Sequence, residues 1–198
     1  MAKLSVKKRI CMFSSSSDML PEIYYQESME FAKILSGLGY DLVYGGGSLG
    51  IMGKIASEFK NNGRDVIGII PKKLLKHTPM LDDIKKCIVV KDMGKRKKLM
   101  VKKSFAFIAL PGGFGTLEEI FEVITLKQIG YIDKPIAFLN INNFFDHTIK
   151  QLELIYKEKF AKESNRDLYI ITDNINDIVE YLENYKCVDI DNKWVGKF

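Results

Sequence analysis

Residues 105–119 read FAFIALPGGFGTLEE, and this stretch decides the fold. An apolar run is followed by a glycine-rich turn and then by a helix-like segment that begins near Thr116. Such a turn suits phosphate, because its glycines let an anion approach the main chain and the start of the helix offers unpaired N–H groups. Glu119 falls within the first turn of the predicted helix. A carboxylate beside a bound phosphate is repelled by it, so we expect Glu119 to have a chemical task.

The same alternation of short apolar runs and longer amphipathic segments fills the rest of the chain. Strands are predicted at 9–13, 41–44, 66–70, 87–90, 105–110, 136–139 and 169–171, and helices at 21–38, 51–62, 93–103, 116–130, 144–159 and 175–185. Apolar strands separated by helices predict a doubly wound, Rossmann-like α/β fold with a parallel sheet and helices on both faces. With 198 residues, 46% of them hydrophobic, we expect a single domain over residues 1–198.

Composition narrows the classes of partner. The net charge of +5 is modest, and the lysine clusters lack interleaved aromatic residues, so we expect an anionic metabolite rather than a nucleic acid. No apolar run approaches the roughly 18 residues that a membrane helix needs, and no signal peptide is recognisable, which predicts a cytoplasmic protein. Cys11, Cys87 and Cys187 are widely spaced and odd in number, so we expect buried free thiols and no metal site.

Two more turns are expected at the carboxyl ends of strands, where ligands bind in parallel sheets. Four serines occupy 14–17, and residues 45–53 read GGGSLGIMG. The serine loop, with Asp18, is by itself typical of a polar loop that caps a helix. We expect both turns to line one rim with the turn at 111–119.

The 45–53 turn also fits two other patterns. Its glycines match the dinucleotide fingerprint G-x-G-x-x-G, but they follow the second predicted strand and lack an acidic residue at the end of the next one. The segment around Ser48 matches the G-x-S-x-G elbow of serine hydrolases, for which Asp133 and His147 would have to serve as the acid and the base, since the chain has only two histidines. Close packing of helix against strand is the remaining explanation of these glycines.

Arg96 and Lys97 lie near the start of the helix predicted at 93–103. Most lysines of this segment are expected to form a solvated face. A guanidinium at the same rim has more uses, since it can pair with Glu119 and donate hydrogen bonds to a substrate.

Together these motifs resemble the Lonely guy family of cytokinin riboside 5'-monophosphate phosphoribohydrolases, whose members are often mislabelled lysine decarboxylases. The resemblance runs from about residue 9 to residue 178. It rests on the glycine turn at 45–53, on VIGIIP at 66–71, on the Arg96-Lys97 pair, on PGGFGTLEE at 111–119, and on Thr125 with Gln128.

The resemblance implies hydrolysis of the N-glycosidic bond of a nucleoside 5'-monophosphate, either AMP or an N6-modified AMP, to free base and ribose 5-phosphate. It makes Arg96 and Glu119 the catalytic pair. The implied substrate contacts are Lys97, Gly112, Gly113, Phe114, Gly115, Thr116, Leu117, Glu118 and Thr125. It further implies that no metal or organic cofactor is needed, and that the protein forms at least a homodimer.

Two other functions are weighed against this one. A pyridoxal phosphate decarboxylase needs a Schiff-base lysine in its pocket, and no lysine of the sequence has a distinctive setting of that kind. A non-catalytic nucleotide-binding or carrier protein would use the same phosphate turn, but it gains nothing from a carboxylate beside the anion.

Overall fold

The computed structural model describes residues 8–76, 78–80 and 86–188. These residues form two compact units. The described parts of 1–12 and 16–105 make up the first unit, and residues 13–15 with the described part of 106–198 make up the second.

The first unit alternates strands and helices. Its elements are β1 (Arg9–Phe13, whose last residue belongs to the second unit), α1 (Glu22–Gly37), β2 (Asp41–Tyr44), α2 (Gly50–Asn61), β3 (Val66–Pro71), β4 (Lys86–Val90) and α3 (Met93–Lys103). The strands are parallel, in the order β4-β3-β2-β1. Leu42 pairs with Ile10 on one side and with Val66 on the other. The first three strands are almost wholly buried because helices cover apolar strands of a parallel sheet.

The second unit continues the alternation. It contains β5 (Ala106–Ala109), α4 (Phe114–Gln128), β6 (Ile136–Leu139), α5 (Asp146–Lys157), β7 (Ile170–Thr172) and α6 (Ile175–Glu183), with 3-10 helices at Ile141–Asn143 and Glu163–Leu168. The parallel order is β5-β6-β7. Every residue of β5 and β6 is buried, so these strands form the centre of the second core.

The predicted α/β class with parallel strands is confirmed. Strands β1, β2 and β6 and helix α3 have the predicted bounds. One difference from the prediction bears on function: α4 begins at Phe114 rather than near Thr116. The two 3-10 helices were not predicted, because such short turns carry no periodic pattern.

The expectation of buried thiols is correct for only one cysteine. All three are free, but Cys87 and Cys187 are exposed and Cys11 alone is buried. Cys87 lies on β4, the edge strand of its unit, which has a neighbouring strand on one side only. An apolar run in the sequence therefore did not guarantee burial at a sheet edge.

Membrane insertion through a helix finds no support in the described residues, where no helix combines the length and the apolar character that a span requires.

Candidate active site

The turn after β5 presents open main chain at the start of α4. Gly113 precedes the first helical residue, and among the described residues no side chain caps this end. Within the same part of the chain, a Cβ built on Gly113 or Gly115 would have no atom within 4 Å, apart from its chain neighbours and, for Gly115, the main chain of its own helix. Phe114 is 93% exposed. The start of α4 therefore lacks a side-chain cap that would compete with an anion, and anion binding there stays a prediction.

Gly112, in contrast, is tightly enclosed. A Cβ at this position would lie 2.1 Å from Thr116 Oγ1 and 3.1 Å from the amide nitrogen of Ser15. Thr116 is buried, and the Ser15 N–H donates to the Pro111 carbonyl at 3.1 Å. The turn thus keeps its shape because a glycine lets the serine loop and the first turn of α4 close around it.

Glu119 is buried on the second turn of α4, with 8% of its surface exposed. The prediction that Glu119 lies in the first turn was wrong, because the helix starts two residues earlier than predicted. The preceding Glu118 is exposed and Leu117 is half-buried. Of the two adjacent carboxylates, only Glu119 is thus held in the protein interior.

Thr125 lies one and a half turns further along α4. It is exposed, and its hydroxyl donates to the Phe121 carbonyl of its own helix at 2.8 Å. Its role as a substrate contact stays a prediction.

The serine loop adds an unsatisfied polar group to the second unit. The Ser14 oxygen is buried and has no hydrogen-bond partner among the described residues. A buried hydroxyl without a partner costs free energy, which a polar ligand at this loop would recover.

Arg96 and Lys97 belong to the first unit and are half-buried on α3. The Asp92 side chain caps this helix by accepting the Lys95 N–H at 2.8 Å. The Arg96 Nε donates to the Ile69 carbonyl at 3.0 Å. The exposed Lys95 and Lys98 fit the predicted solvated face.

Asp18 occupies the helix start that the dinucleotide pattern requires for phosphate. Its Oδ1 accepts the Gly50 N–H at 2.7 Å, at the first residue of α2. The sequence suggested that Asp18 caps the next helix along the chain, but α1 starts after Pro21 without a side-chain cap. A carboxylate at this position repels a pyrophosphate, so the arrangement disfavours dinucleotide binding by the 45–53 turn.

Ser48 is equally poorly placed for a serine hydrolase. Its hydroxyl donates to the Pro79 carbonyl at 3.1 Å, and its N–H bonds to the same oxygen at 2.9 Å. Asp133, the acid of the hypothetical triad, accepts a hydrogen bond from the Tyr185 hydroxyl instead. Both groups have structural partners.

The second unit contains a buried lysine that no sequence pattern predicted. Lys127 is fully buried on α4, its Nζ donates to the Leu168 carbonyl at 2.8 Å, and it lies over the Tyr185 ring at 4.9 Å. Burial lowers its pKa to about 8, against the opposing influence of Asp133 and then of Cys187. Lys127 is the only lysine of α4, and a single lysine in a helix pattern gave no sign of this role.

Asp133 accepts several hydrogen bonds from the segment that follows α6. Burial favours its neutral form, but hydrogen bonds from the Cys187 thiol, the Tyr185 hydroxyl and the Val188 N–H outweigh this effect and lower its pKa. The pKa of the Cys187 thiol is raised, mainly by its hydrogen bond to this carboxylate. Cys187 is therefore a structural donor rather than an activated nucleophile.

The lowered pKa of Lys127 predicts a measurable pH dependence of stability. The folded protein binds the Lys127 proton more weakly than the unfolded chain does. Burying the charged amine therefore destabilises the folded state fully below pH 8, and this destabilisation shrinks as the pH rises toward 10.5. Between pH 7 and 9.5, the free energy of unfolding of wild type is expected to rise by about 2 kcal/mol relative to that of Lys127→Met. Urea unfolding of both proteins at the two pH values measures this. A constant difference between them contradicts the assignment.

No three His, Cys, Asp or Glu side chains come together as metal ligands within 8–76, 78–80 and 86–188. Lys127 is also unsuited to a Schiff base, since its amine is engaged with a main-chain carbonyl in the packed interior.

Comparison with known proteins adds independent findings. Residues 52–182 match the family described as "Possible lysine decarboxylase". The chain is 39% identical to a probable cytokinin riboside 5'-monophosphate phosphoribohydrolase of Oryza sativa subsp. japonica, covering 90% of this chain and 73% of the relative. It is 40% identical to a cytokinin riboside 5'-monophosphate phosphoribohydrolase of Arabidopsis thaliana, covering 90% of this chain and 84% of the relative.

Solved structures confirm the Rossmann-like fold. The molybdenum cofactor binding protein of Rippkaea orientalis matches with a TM-score of 0.68, covering 90% of this chain and 97% of that protein. At 20% identity, this likeness bears on the fold alone.

Proposed function

We propose a hydrolytic function from one premise: the chain belongs to the family of cytokinin riboside 5'-monophosphate phosphoribohydrolases. It cleaves the N-glycosidic bond of a nucleoside 5'-monophosphate and releases the free base and ribose 5-phosphate. The observation that carries the proposal is a buried carboxylate, Glu119, on α4. The uncapped start of this helix follows directly on the glycine turn.

The turn binds the 5'-phosphate. The free space beside Gly113 and Gly115 and the positive end of α4 favour a dianion at this point. Binding energy gained at the phosphate, which does not react, orients the sugar for the chemical step. The residues assigned to substrate contact are Lys97, Gly112, Gly113, Phe114, Gly115, Thr116, Leu117, Glu118 and Thr125.

Glu119 acts at the anomeric carbon. As the C1'–N bond breaks, its electron pair leaves with the base and the ribose becomes oxocarbenium-like, a charge that a nearby carboxylate stabilises. A water oxygen then bonds to C1', and Glu119 takes the proton that this water loses. The base nitrogen that has lost C1' takes up one proton and leaves as the neutral free base, which balances the addition of one water molecule. Burial keeps the carboxylate in a low-dielectric setting, where such charge interactions are stronger than in water.

Arg96 stabilises the negative charge that develops on the departing base. A guanidinium presents several N–H donors in a fixed planar arrangement, so it can hold the departing base through hydrogen bonds. We assign Arg96 and Glu119 as the catalytic pair, with no metal or organic cofactor. The protein is further proposed to work in the cytoplasm, at least as a homodimer, with residues 1–198 acting as one domain.

Incubation with AMP and, separately, with N6-isopentenyladenosine 5'-monophosphate tests the function and ranks the substrates. At least one of them is expected to release free base, which is detected by chromatography. This release is expected to be lost in Arg96→Ala and in Glu119→Gln. The corresponding nucleosides without the phosphate are expected to react poorly, because they lack the group that the turn binds. Binding of both monophosphates without any release of base contradicts hydrolysis and favours a carrier.

A further inference from the structure

The turn after β2 lies against the side chain of Arg96. The Nε donates to the Ile69 carbonyl at 3.0 Å, and Nη1 lies 4.0 Å from the Met93 sulfur. A Cβ built on Gly45 would lie 2.6 Å from Nη2 and 3.8 Å from Cζ of the same guanidinium. The main chain of Gly45 therefore forms the wall against which the guanidinium rests.

The backbone at Gly45 does not itself demand glycine. Its neighbour Gly46 has a φ of +91°, which favours glycine for conformational reasons, whereas Gly45 has no positive φ. What a side chain at 45 would meet is Arg96 and the Met52 sulfur, the latter at 2.7 Å. Glycine is needed at this position for space.

We propose that Gly45 is a positioning residue for Arg96: together with the Ile69 carbonyl it fixes where the guanidinium points, and it does not contact substrate. That this orientation serves catalysis rests on the function proposed above. The first glycine of the 45–53 turn thus positions an arginine. At the other end of this turn, Asp18 already accepts the first N–H of α2.

The atoms that a Cβ at 45 would meet are the movable ends of long side chains. The fold can accommodate an alanine there if the guanidinium swings away from the wall and gives up its hydrogen bond to the Ile69 carbonyl. A steric clash with main chain has no such escape, as at Gly53, where a Cβ would lie 1.8 Å from the Ser48 carbonyl oxygen. Gly45→Ala therefore separates the position of Arg96 from the integrity of the fold.

The direct measurement is the Nε–H signal of Arg96 in nitrogen–proton NMR spectra. The chain has only four arginines, and Arg96→Lys assigns the signal by removing it. In Gly45→Ala we expect the signal to move and its hydrogen exchange to accelerate by at least about tenfold, because the bond to the Ile69 carbonyl is broken. The control is Gly37→Ala, since no atom of the described chain lies within 4 Å of a Cβ at that position outside its neighbours and own helix.

Activity provides the second readout. Gly45→Ala is expected to lower kcat for nucleotide hydrolysis by at least about tenfold with a smaller change in KM, as expected for a displaced catalytic group. In an Arg96→Lys background the same substitution is expected to change kcat by less than about twofold, because the group that it displaces is absent.

An Arg96 Nε–H signal that is the same in Gly45→Ala as in wild type overturns the positioning role. If the signal changes as expected but wild type releases no base from any monophosphate, the positioning role stands and the proposed function fails. A changed signal with wild-type kcat overturns the catalytic consequence.

Discussion

Glu119→Gln is expected to lower kcat for nucleoside monophosphate hydrolysis by about a thousandfold, within the range found for removal of a catalytic acid or base. Glutamine has nearly the same shape, so the helix and the glycine turn should be unchanged. It carries no negative charge to stabilise the oxocarbenium-like ribose, and it cannot take a proton from water. Affinity for AMP should stay within about threefold of wild type or rise slightly, because a repulsion with the bound phosphate is removed.

Glu122→Gln is the matched control for this experiment. Glu122 lies on the same helix three residues further on and is half-buried, and the change of chemistry is identical. Single-turnover rates and calorimetric affinities of both variants separate chemistry from binding. Equal rates for Glu119→Gln and Glu122→Gln contradict the catalytic assignment.

Gly112→Ala is expected to have the second largest effect, a loss of AMP affinity of at least about fiftyfold, which corresponds to roughly 2.3 kcal/mol. The added Cβ would lie 2.1 Å from Thr116 Oγ1, 2.7 Å from Thr116 Cβ and 3.1 Å from the Ser15 amide nitrogen. These neighbours cannot easily retreat. Thr116 is buried in the first turn of α4, and the Ser15 N–H is bonded to the Pro111 carbonyl. The turn must therefore open, and the amides that face the phosphate lose their arrangement.

Overpacking of this kind also destabilises the folded state, typically by 1–3 kcal/mol, or about 2 kcal/mol here. Gly113→Ala, one residue away, has room for its Cβ and is expected to leave the melting temperature near that of wild type. Affinities are best measured in the Glu119→Gln background, which suppresses turnover. Wild-type affinity in Gly112→Ala would show that the phosphate binds elsewhere.

Local sequence patterns predicted some elements more accurately than others. Buried β1, β2 and β6 were predicted to the residue, because continuous apolar runs between turn residues leave little choice of bounds. The start of α4 was placed two residues late, because Gly113 and Gly115 suggested a longer turn. In the structure Gly115 is already helical, a position where glycine is unfavourable for stability but leaves the main chain open.

The parts that sequence could not predict depend on contacts between distant residues. Asp18 caps α2, 32 residues further along the chain. Lys127 donates to a carbonyl 41 residues away, and its burial depends on Tyr185 as well. The special need for glycine at 45 arises from Arg96, on a different helix. None of these pairings leaves a periodic signal, so only the folded chain reveals them.

The claim that the chain is a phosphoribohydrolase is tested most directly by identifying the products of complete conversion of one nucleoside 5'-monophosphate. Mass spectrometry of the reaction mixture is expected to find free base and ribose 5-phosphate in equal amounts, with no nucleoside and no inorganic phosphate. Release of the nucleoside with inorganic phosphate, or recovery of the intact nucleotide under conditions where it binds, would contradict the account.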